Sequence, residues 1–302
     1  MMKMILFVQV TQVRCQTRVK HLPKLFTRRR FLEAIGLSAL GAGYAFGIEP
    51  RRLGVGRHEV KLSRSGGRLP LKLLQLSDLH ASHIVSLGFI AKAVQLGLSL
   101  KPDLICLTGD FITRGYNQLD GYAEVLRSLA DSAPTFACLG NHDGGLWAAA
   151  RRGYADTNRV RDLLVKSGAT LLHNSAKTIR VRDWDLTLVG VGDLWAGEMQ
   201  PLLAFDSLRP AAGGATILLS HNPDSKQGLS SSAWDLMLCG HTHGGQVRLP
   251  FFGTPFAPVR DKRFVEGLHR WEERWIHITR GVGNLHGVRI NCPPEVSLLT
   301  LV

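Results

Sequence analysis

Residues 71–80 of the chain, LKLLQLSDLH, join an apolar run of six residues to a polar group that contains Asp78 and His80. A short run of this kind predicts a buried β-strand, and the polar residues predict the loop at its carboxyl end. The same arrangement recurs at residues 103–110 (DLICLTGD) and 134–143 (PTFACLGNHD). Strands that each deliver polar side chains to a following loop indicate a sheet with a functional edge.

Helices alternate with these strands in the first half of the body. Helical spacing of apolar residues predicts helices at 87–100, 119–129 and 158–166. The second half is richer in strands, which we predict at residues 170–173, 177–181, 185–191, 216–220, 235–239, 245–249, 275–279 and 296–301. The pattern predicts an α/β fold, a layered β-sandwich flanked by helices, in a single catalytic domain over residues 70–302.

The positive charge of the chain is concentrated at its N-terminal end. The 302 residues contain 37 Lys and Arg against 24 Asp and Glu, a net charge of +13. Residues 1–70 hold 14 of the basic residues and three acidic ones, so they carry +11 and the remaining 232 residues carry +2. A nucleic-acid-binding domain needs basic residues on its folded body. We therefore expect no nucleic-acid partner.

The basic end of the chain has the order of an export signal. Residues 27–32 (TRRRFL) precede an apolar stretch at 34–48, which resembles a twin-arginine signal. About 15 apolar residues fall short of the roughly 20 that span a bilayer. We predict a leader or membrane anchor at 1–50 and a linker at 51–69. The expected location is the membrane, at the periplasmic face if the signal is used or otherwise at the cytoplasmic face of the inner membrane.

The polar residues at the predicted strand ends have the chemistry of metal ligands. Carboxylate oxygen, imidazole nitrogen and amide oxygen suit Mn, Fe or Zn. Seven such side chains exceed what one ion with open positions can use, so they predict two divalent ions about 4 Å apart. Two dications and two aspartates leave a positive site that attracts phosphate. The seven residues are Asp78, His80, Asp110, Asn141, His221, His241 and His243.

These residues resemble the five-block signature of calcineurin-like metallophosphoesterases. The blocks are Asp78-x-His80, Gly109-Asp110, residues 140–143 (GNHD), His221 and residues 240–243 (GHTH). The wider sequence is similar to the YaeI-type bacterial phosphodiesterases and to a related group that cleaves the pyrophosphate of UDP-2,3-diacylglucosamine in lipid A biosynthesis. The resemblance covers about residues 71–302.

The resemblance implies a role for each of the site residues. Asp78, His80 and His243 would hold the first ion, Asp110 would bridge the two, and Asn141, His221 and His241 would hold the second. His142 would be a catalytic proton donor rather than a ligand. A hydroxide between the two ions would attack phosphorus in line, as in other two-metal hydrolases, and manganese is the favoured ion.

The predicted function is that of a two-metal phosphodiesterase or pyrophosphatase acting on a small phosphodiester or nucleotide-lipid substrate. The alternatives are a UDP-2,3-diacylglucosamine diphosphatase and a non-catalytic scaffold on the same fold. Four further residues are candidates for substrate contact or ordinary loop positions: His83, Arg114, Asn284 and His286. Asp143 either orients His142 or forms a turn before Gly144.

Overall fold

A computed structural model describes residues 27–62, 69–206 and 214–302 of the chain. Residues 1–26 of the predicted leader and 63–68 of the predicted linker lie outside the described residues. The chain divides into two compact units, Met1–Gly41 and Ala42–Val302. The second unit contains every β-strand of the described part of the chain.

Two six-stranded sheets form the centre of the second unit. The first has the order β1-β12-β2-β3-β4-β5 and the second the order β10-β11-β9-β8-β7-β6. The strands are β1 (Gly54–Val60), β2 (Leu71–Leu76), β3 (Leu104–Thr108), β4 (Thr135–Cys138), β5 (Thr170–Leu171), β6 (Ser175–Val181), β7 (Trp184–Gly190), β8 (Ala215–Leu219), β9 (Leu236–Cys239), β10 (Gly267–Trp271), β11 (Arg274–Ile278) and β12 (Glu295–Leu301).

Six α-helices are present in the described part of the chain. They are α1 (Arg28–Gly43), α2 (Leu87–Ser99), α3 (Leu119–Ala130), α4 (Leu146–Ala149), α5 (Asn158–Lys166) and α6 (Pro201–Asp206). The predicted α/β fold with two sheets is confirmed, and so are the three helices predicted in the first half of the body. Strands β2, β3 and β4 pair in parallel, so their carboxyl ends lie at one edge of the first sheet.

The apolar residues are buried in layers that follow from the strand pattern. Leu73, Leu104 and Phe136 of the first sheet pack against Leu186 and Leu236 of the second, in a core between the two sheets. The opposite face of the first sheet is covered by α2, α3 and α5. Burying both faces of parallel strands explains why β3 and β4 are continuous apolar runs rather than alternating ones.

The structure differs from the sequence predictions at three strands. One of them is β10 (Gly267–Trp271), an edge strand of the second sheet that the sequence did not predict. Gly54–Val60, inside the predicted linker 51–69, is a strand that pairs in parallel with β12. Its partly exposed, Gly-containing sequence has little strand character, so its pairing depends on β12. The predicted strand at 245–249 is wrong, because this segment makes only isolated bridges, from Val247 to Ile290 and from Leu249 to Gly253.

The apolar helix near the N-terminus is longer than the sequence indicates. Helix α1 continues through a π-helical turn at Tyr44–Ile48 and a 3-10 turn at Glu49–Arg51. The combined helix, Arg28–Arg51, has 24 residues and is long and apolar enough to cross a membrane by length and composition. The prediction that the stretch is too short to span is therefore wrong, because the flanking residues on both sides extend the same helix.

Candidate metal centre

The seven predicted ligands come together where strands β2, β3, β4, β8 and β9 end. Five of them have left-handed backbone conformations, with φ between 49° and 69°: Asp78, His80, Asp110, His241 and His243. Such φ values are uncommon for residues other than glycine and carry a steric cost. Backbone strain of this kind concentrates at functional sites. The tight turns aim side chains from separate strands at one point.

The first group of facing ligand atoms contains Asp78, His80 and His243, all buried. The Nε2 atoms of His80 and His243 lie 3.1 Å apart, and Nε2 of His243 lies 3.3 Å from Oδ1 of Asp78. Two atoms that each lie about 2.1 Å from one ion are separated by about 3.0–3.4 Å for octahedral or tetrahedral angles. The observed separations are those of ligands to a shared ion.

The second group contains Asp110, His221 and His241, also buried. Nε2 of His221 lies 3.1 Å from Oδ2 of Asp110 and 3.3 Å from Nδ1 of His241. The same Asp110 oxygen lies 3.5 Å from Nε2 of His80 in the first group. One carboxylate oxygen is therefore adjacent to both groups, which is the position that a bridging ligand requires.

Asn141 supplies an independent test of whether a cation fits. Its Oδ1 atom is buried and has no hydrogen-bond partner among the described residues. Buried acceptors without partners are unusual, because their desolvation is not compensated. Such an acceptor beside two carboxylates, with no Lys or Arg among the ligand groups, suits divalent ions.

Neighbouring acceptors fix which histidine nitrogen carries the proton. Nδ1 of His221 lies 2.7 Å from the carbonyl oxygen of Thr108, which can only accept, so His221 donates from Nδ1. Nδ1 of His80 lies 3.2 Å from the hydroxyl oxygen of Thr113, which can accept from it while donating to the His80 carbonyl. Both rings then present the lone pair of Nε2 to the site, as metal ligands do.

The electrostatics of the protein alone favour neutral imidazoles in most of the set. Burial lowers the pKa of His80 and of His241 to about 3, and it lowers the pKa of His243 well below the usual value. Burial acts in the same direction on His221, but the Asp110 carboxylate outweighs it and raises the pKa of His221 well above its usual value. Neutral imidazole is the form that binds metal.

A glycine allows the two ligand loops to approach each other. Gly240 precedes His241, and a Cβ atom at this position would collide with Oγ of Ser77 and Oδ2 of Asp78. The backbone N–H of His241 instead donates to both carboxylate oxygens of Asp78, at 3.1 Å each. Only glycine leaves room for this contact, which holds the loop after β9 against the loop after β2.

His142 lies beside the two groups without belonging to either. Its Nδ1 atom is 2.9 Å from the carbonyl oxygen of Thr113, so Nδ1 donates a hydrogen bond and Nε2 is the free ring nitrogen. Its backbone N–H donates to Oδ1 of Asp110 at 2.9 Å. The ring packs edge-on against His80 and Trp147. This placement permits proton exchange at Nε2 with a molecule in the adjacent cavity.

Asp143 makes contacts that support the turn alternative rather than orientation of His142. Its carboxylate accepts backbone N–H bonds from Gly140, Asp110 and Phe111 at 2.7–2.9 Å, and a longer one from Ile112 at 3.4 Å. The atom that holds the His142 ring is the carbonyl oxygen of Thr113. Asp143 therefore joins the loop after β4 to the loop that carries Asp110.

A cavity of about 640 Å³ opens above the two groups. Asp110, Asn141, His142, His241 and His243 lie at its base, and the walls are mostly apolar. The two tryptophans of the wall pack on site histidines, with ring centroids 4.8 Å apart for Trp147 and His142 and 4.2 Å for Trp195 and His241.

The four further residues that the sequence marks are placed differently. Arg114 and His286 line the cavity, whereas His83 lines a neighbouring groove that also includes Arg114. Asn284 is buried and accepts the backbone N–H of Gly287, a turn contact. Trp147, Trp195 and Arg151 also line the wall, and the sequence did not identify them as site residues. The available signal was the position of Trp147 and Arg151 within ten residues of the GNHD block.

A third group of facing ligand atoms contains His58, His277 and Glu295. Here the carboxylate is already engaged: Oε2 of Glu295 pairs with Arg280 at 2.6 Å, and Oε1 accepts from Ser297 at 2.6 Å. A cation at this point would compete with a guanidinium that is already in place. The third group is therefore an ion-pair network rather than a candidate metal site.

Comparison with known proteins agrees with the arrangement of the site. The family model described as calcineurin-like phosphoesterase matches residues 71–245. Phosphodiesterase YaeI of Escherichia coli strain K12 is 43% identical over 282 residues, which cover 92% of this chain and 100% of that protein. The predicted resemblance is confirmed by both matches.

Two further relatives are similar over most of their length. UDP-2,3-diacylglucosamine pyrophosphatase LpxG of Chlamydia trachomatis is 29% identical over 301 residues, covering 83% of this chain and 90% of that protein. The uncharacterized metallophosphoesterase YkuE of Bacillus subtilis is 31% identical over 291 residues, covering 92% of this chain and 98% of that protein. The names of YaeI and LpxG each state an activity, and LpxG has the lower sequence identity to this chain.

Proposed function

This chain belongs to the calcineurin-like phosphoesterase family and is a metal-dependent phosphoester hydrolase, and from that premise we propose that it hydrolyses phosphodiester or pyrophosphate bonds. The observation that carries the proposal is the single Asp110 oxygen that faces a ligand group on each side. The name of the relative YaeI, a phosphodiesterase, supports the diester as the substrate class.

Each of the two groups of facing ligand atoms is proposed to hold one ion. Asp78, His80 and His243 would hold one ion, and Asn141, His221 and His241 the other, with Asp110 shared. When bound, two such cations would supply positive charge to a phosphoryl group and would lower the pKa of a coordinated water molecule. Manganese is the proposed ion, because mixed oxygen and imidazole donors without thiolate suit it.

His142 is the proposed catalytic residue of the chain. Its Nδ1–H is fixed on the carbonyl oxygen of Thr113, which orients Nε2 for proton transfer. In the protonated form, Nε2–H would donate to the leaving oxygen as negative charge develops there. The ring stands between His80 and Trp147, which restrict its rotation.

The cavity wall favours one second candidate, a nucleotide-lipid pyrophosphatase. The relative LpxG is named for UDP-2,3-diacylglucosamine, an amphiphile. In this chain, apolar residues such as Val247, Phe256 and Leu285 line the cavity together with the cationic Arg114 and Arg151. A wall of this composition suits a substrate that carries both a charged phosphate and an apolar portion.

We propose membrane association through the N-terminal segment. The length of the helix Arg28–Arg51 and the TRRRFL motif at its start support either an export signal or an anchor. The periplasmic face is the proposed side if the signal is used, and the cytoplasmic face is the alternative. The proposed domain division is a leader at 1–50 and a catalytic domain at 70–302. Residues 54–60 of the predicted linker 51–69 belong with that domain, because they form the edge strand β1 of its first sheet.

Hydrolysis of a chromogenic diester tests the proposed activity. The purified full chain in detergent, supplied with Mn²⁺, is expected to hydrolyse bis(p-nitrophenyl) phosphate. The Asp110→Asn variant is expected to lose most of this activity, whereas Asp120→Asn, an exposed aspartate on α3, serves as the matched control. No metal-dependent hydrolysis by the wild-type chain would refute the proposal.

Product analysis separates the two substrate classes. Mass spectrometry of an incubation with UDP-2,3-diacylglucosamine should detect UMP if the nucleotide-lipid candidate is right. A chain that hydrolyses bis(p-nitrophenyl) phosphate but releases no UMP is a phosphodiesterase of a different substrate.

A further inference from the structure

Three exposed phenylalanines lie within six residues of one another in the chain, and the last of them lines the cavity. Relative to full exposure, Phe251 is 105%, Phe252 78% and Phe256 72% accessible to solvent. They belong to residues 249–256, which we call the phenylalanine loop, and Phe256 also lines the cavity. Large apolar side chains gathered on a protein surface mark a contact with a partner or a membrane.

The backbone of the phenylalanine loop holds its aromatic side chains in their exposed positions. The backbone N–H of Leu249 donates to Gly253 O at 2.8 Å, and Gly253 N–H donates back to Leu249 O at 3.0 Å. Phe251, at the tip between them, has a left-handed φ of 66°, which is unfavourable for a bulky residue. The loop thus holds an aromatic side chain outward at a steric cost.

The phenylalanine loop is tied to the end of the apolar helix, within the second compact unit. The carbonyl oxygen of Ala45 accepts the N–H of Arg289 at 3.0 Å. The next residue, Ile290, donates to Gln246 O at 3.0 Å and accepts from Arg248 N–H at 2.9 Å, directly before the loop. Residues 44–48 and the loop are therefore connected through one short backbone segment.

The side chains at that helix end extend the apolar surface. Tyr44, Phe46 and Ile48 are exposed, although Ala45 and Glu49 beside them are buried against the unit. The same unit thus presents an apolar helix end and three outward phenylalanines to its surroundings. If residues 44–48 lie in a bilayer, the phenylalanine loop therefore lies next to that bilayer.

The charge around the loop suits an anionic surface. Residues 246–260 contain Arg248 and Arg260 but no Asp or Glu, and Arg51 and Arg52 at the helix end are exposed. Arg248 is paired with Glu266, whereas Arg260 lies exposed as the two helix-end arginines do. Basic residues near a membrane surface attract anionic headgroups.

We propose that the phenylalanine loop inserts into the interface of an anionic lipid bilayer, so that the cavity above the candidate metal centre opens at the membrane surface. This inference rests on the membrane association in the proposed function. Phe251 and Phe252 enter the boundary between headgroups and acyl chains, as the apolar faces of interfacial segments do. Phe256 then lies where the cavity meets the lipid.

Fluorescence quenching by lipid tests the proposal on the full chain. The Phe252→Trp variant is reconstituted in vesicles of phosphatidylcholine and phosphatidylglycerol, with and without bromine on the acyl chains. Leu202→Trp is the matched control, because Leu202 is also exposed but lies on α6 and does not line the cavity. The spectrum of the wild-type chain, with its six tryptophans, is subtracted from both.

The emission added in the Phe252→Trp variant is expected to be blue-shifted and strongly reduced by brominated lipid, while the emission added in the Leu202→Trp variant is unchanged. Red, unquenched emission from the Phe252→Trp variant would overturn the proposal. Blue-shifted emission that brominated lipid leaves intact would also overturn it, since it would indicate burial against protein, including a second copy of the chain. If the Phe252→Trp chain fails to fold, Phe251→Trp is measured instead.

Hydrolysis of bis(p-nitrophenyl) phosphate separates this inference from the proposed function. The water-soluble diester does not require the membrane, so the Phe251→Asn/Phe252→Ser double variant should retain the wild-type rate in detergent. On anionic vesicles, the same variant should lose the hydrogen-exchange protection that the wild-type loop gains from lipid. A chain with no hydrolysis but quenched emission would refute the function and leave the membrane contact standing.

Discussion

Replacing Asp143 with alanine tests the structural role that its carboxylate has in this fold. Asp143 is fully buried and accepts three backbone N–H bonds of 2.7–2.9 Å, from Gly140, Asp110 and Phe111. The Asp143→Ala variant leaves all three donors without this acceptor. A buried donor without a partner costs about 1–3 kcal/mol, so three give about 3–9 kcal/mol.

Two effects place the expected loss of folding stability at the lower end of that range. Water can enter the space left by the carboxyl group. Burial together with Asp110 raises the pKa of Asp143 to about 8, so this group must take up a proton when the chain folds near pH 7, and the alanine variant does not have that cost. We expect the free energy of unfolding to fall by about 3 kcal/mol, which lowers the Tm of a domain this size by about 6–12 °C. Because Asp110 loses its backbone support, metal affinity should fall by about 10–100-fold.

The assay is thermal unfolding combined with manganese titration. Asp235→Ala is the matched control. Asp235 is half-buried and accepts the backbone N–H of Thr216 at 2.7 Å at the amino ends of β8 and β9, whereas the ligands follow the carboxyl ends of these strands. The control should lose stability without losing metal affinity. Unchanged stability and metal affinity in Asp143→Ala, with a shifted pH dependence of kcat, would refute the reasoning and indicate that Asp143 acts through His142.

Three further outcomes are expected. His142→Ala should lower kcat by about 10²–10⁴-fold with full metal content, because it removes only proton transfer; metal loss would contradict the assignment. Gly240→Ala should lower the free energy of unfolding by about 1–3 kcal/mol and weaken metal binding, because the added Cβ atom would collide with Asp78. Thermal unfolding and manganese titration measure the two effects. Burial lowers the pKa of His277 well below its usual value. As the pH falls below about 6.5, this histidine therefore takes up a proton in the unfolded chain but not in the folded one. The free energy of unfolding should consequently fall by about 2 kcal/mol by pH 5. His277→Gln should remove that part of the acid dependence; identical pH slopes for both chains would contradict this.

The sequence predicted the central strands well because their signal is local. Strands β2, β3 and β4 are apolar runs that end in polar loops, and residues 158–166 were predicted as a helix with the bounds the structure has. The edge strand β1 was missed because its partly polar residues become a strand only by pairing with β12. An edge strand depends on its neighbour more than on its own composition.

The candidate site shows the same division between short-range and long-range information. Ligand types and their place after the strands can be identified from the chain alone, because chemistry and strand ends are both local properties. The cavity wall could not be identified in this way. Trp147 and Trp195 come from distant parts of the chain, and only the packing of both against site histidines reveals their place.

By itself, the sequence determined the α/β class, the family resemblance and the donor atoms that gather at the ends of strands. Tertiary structure alone decided that one oxygen of Asp110 faces both groups, that Thr113 rather than Asp143 holds the His142 ring, and that the exposed Phe256 lines the cavity. The reason is physical. A strand and its loop follow from neighbouring residues, whereas a distance of about 3 Å between side chains depends on how segments far apart in the chain pack together.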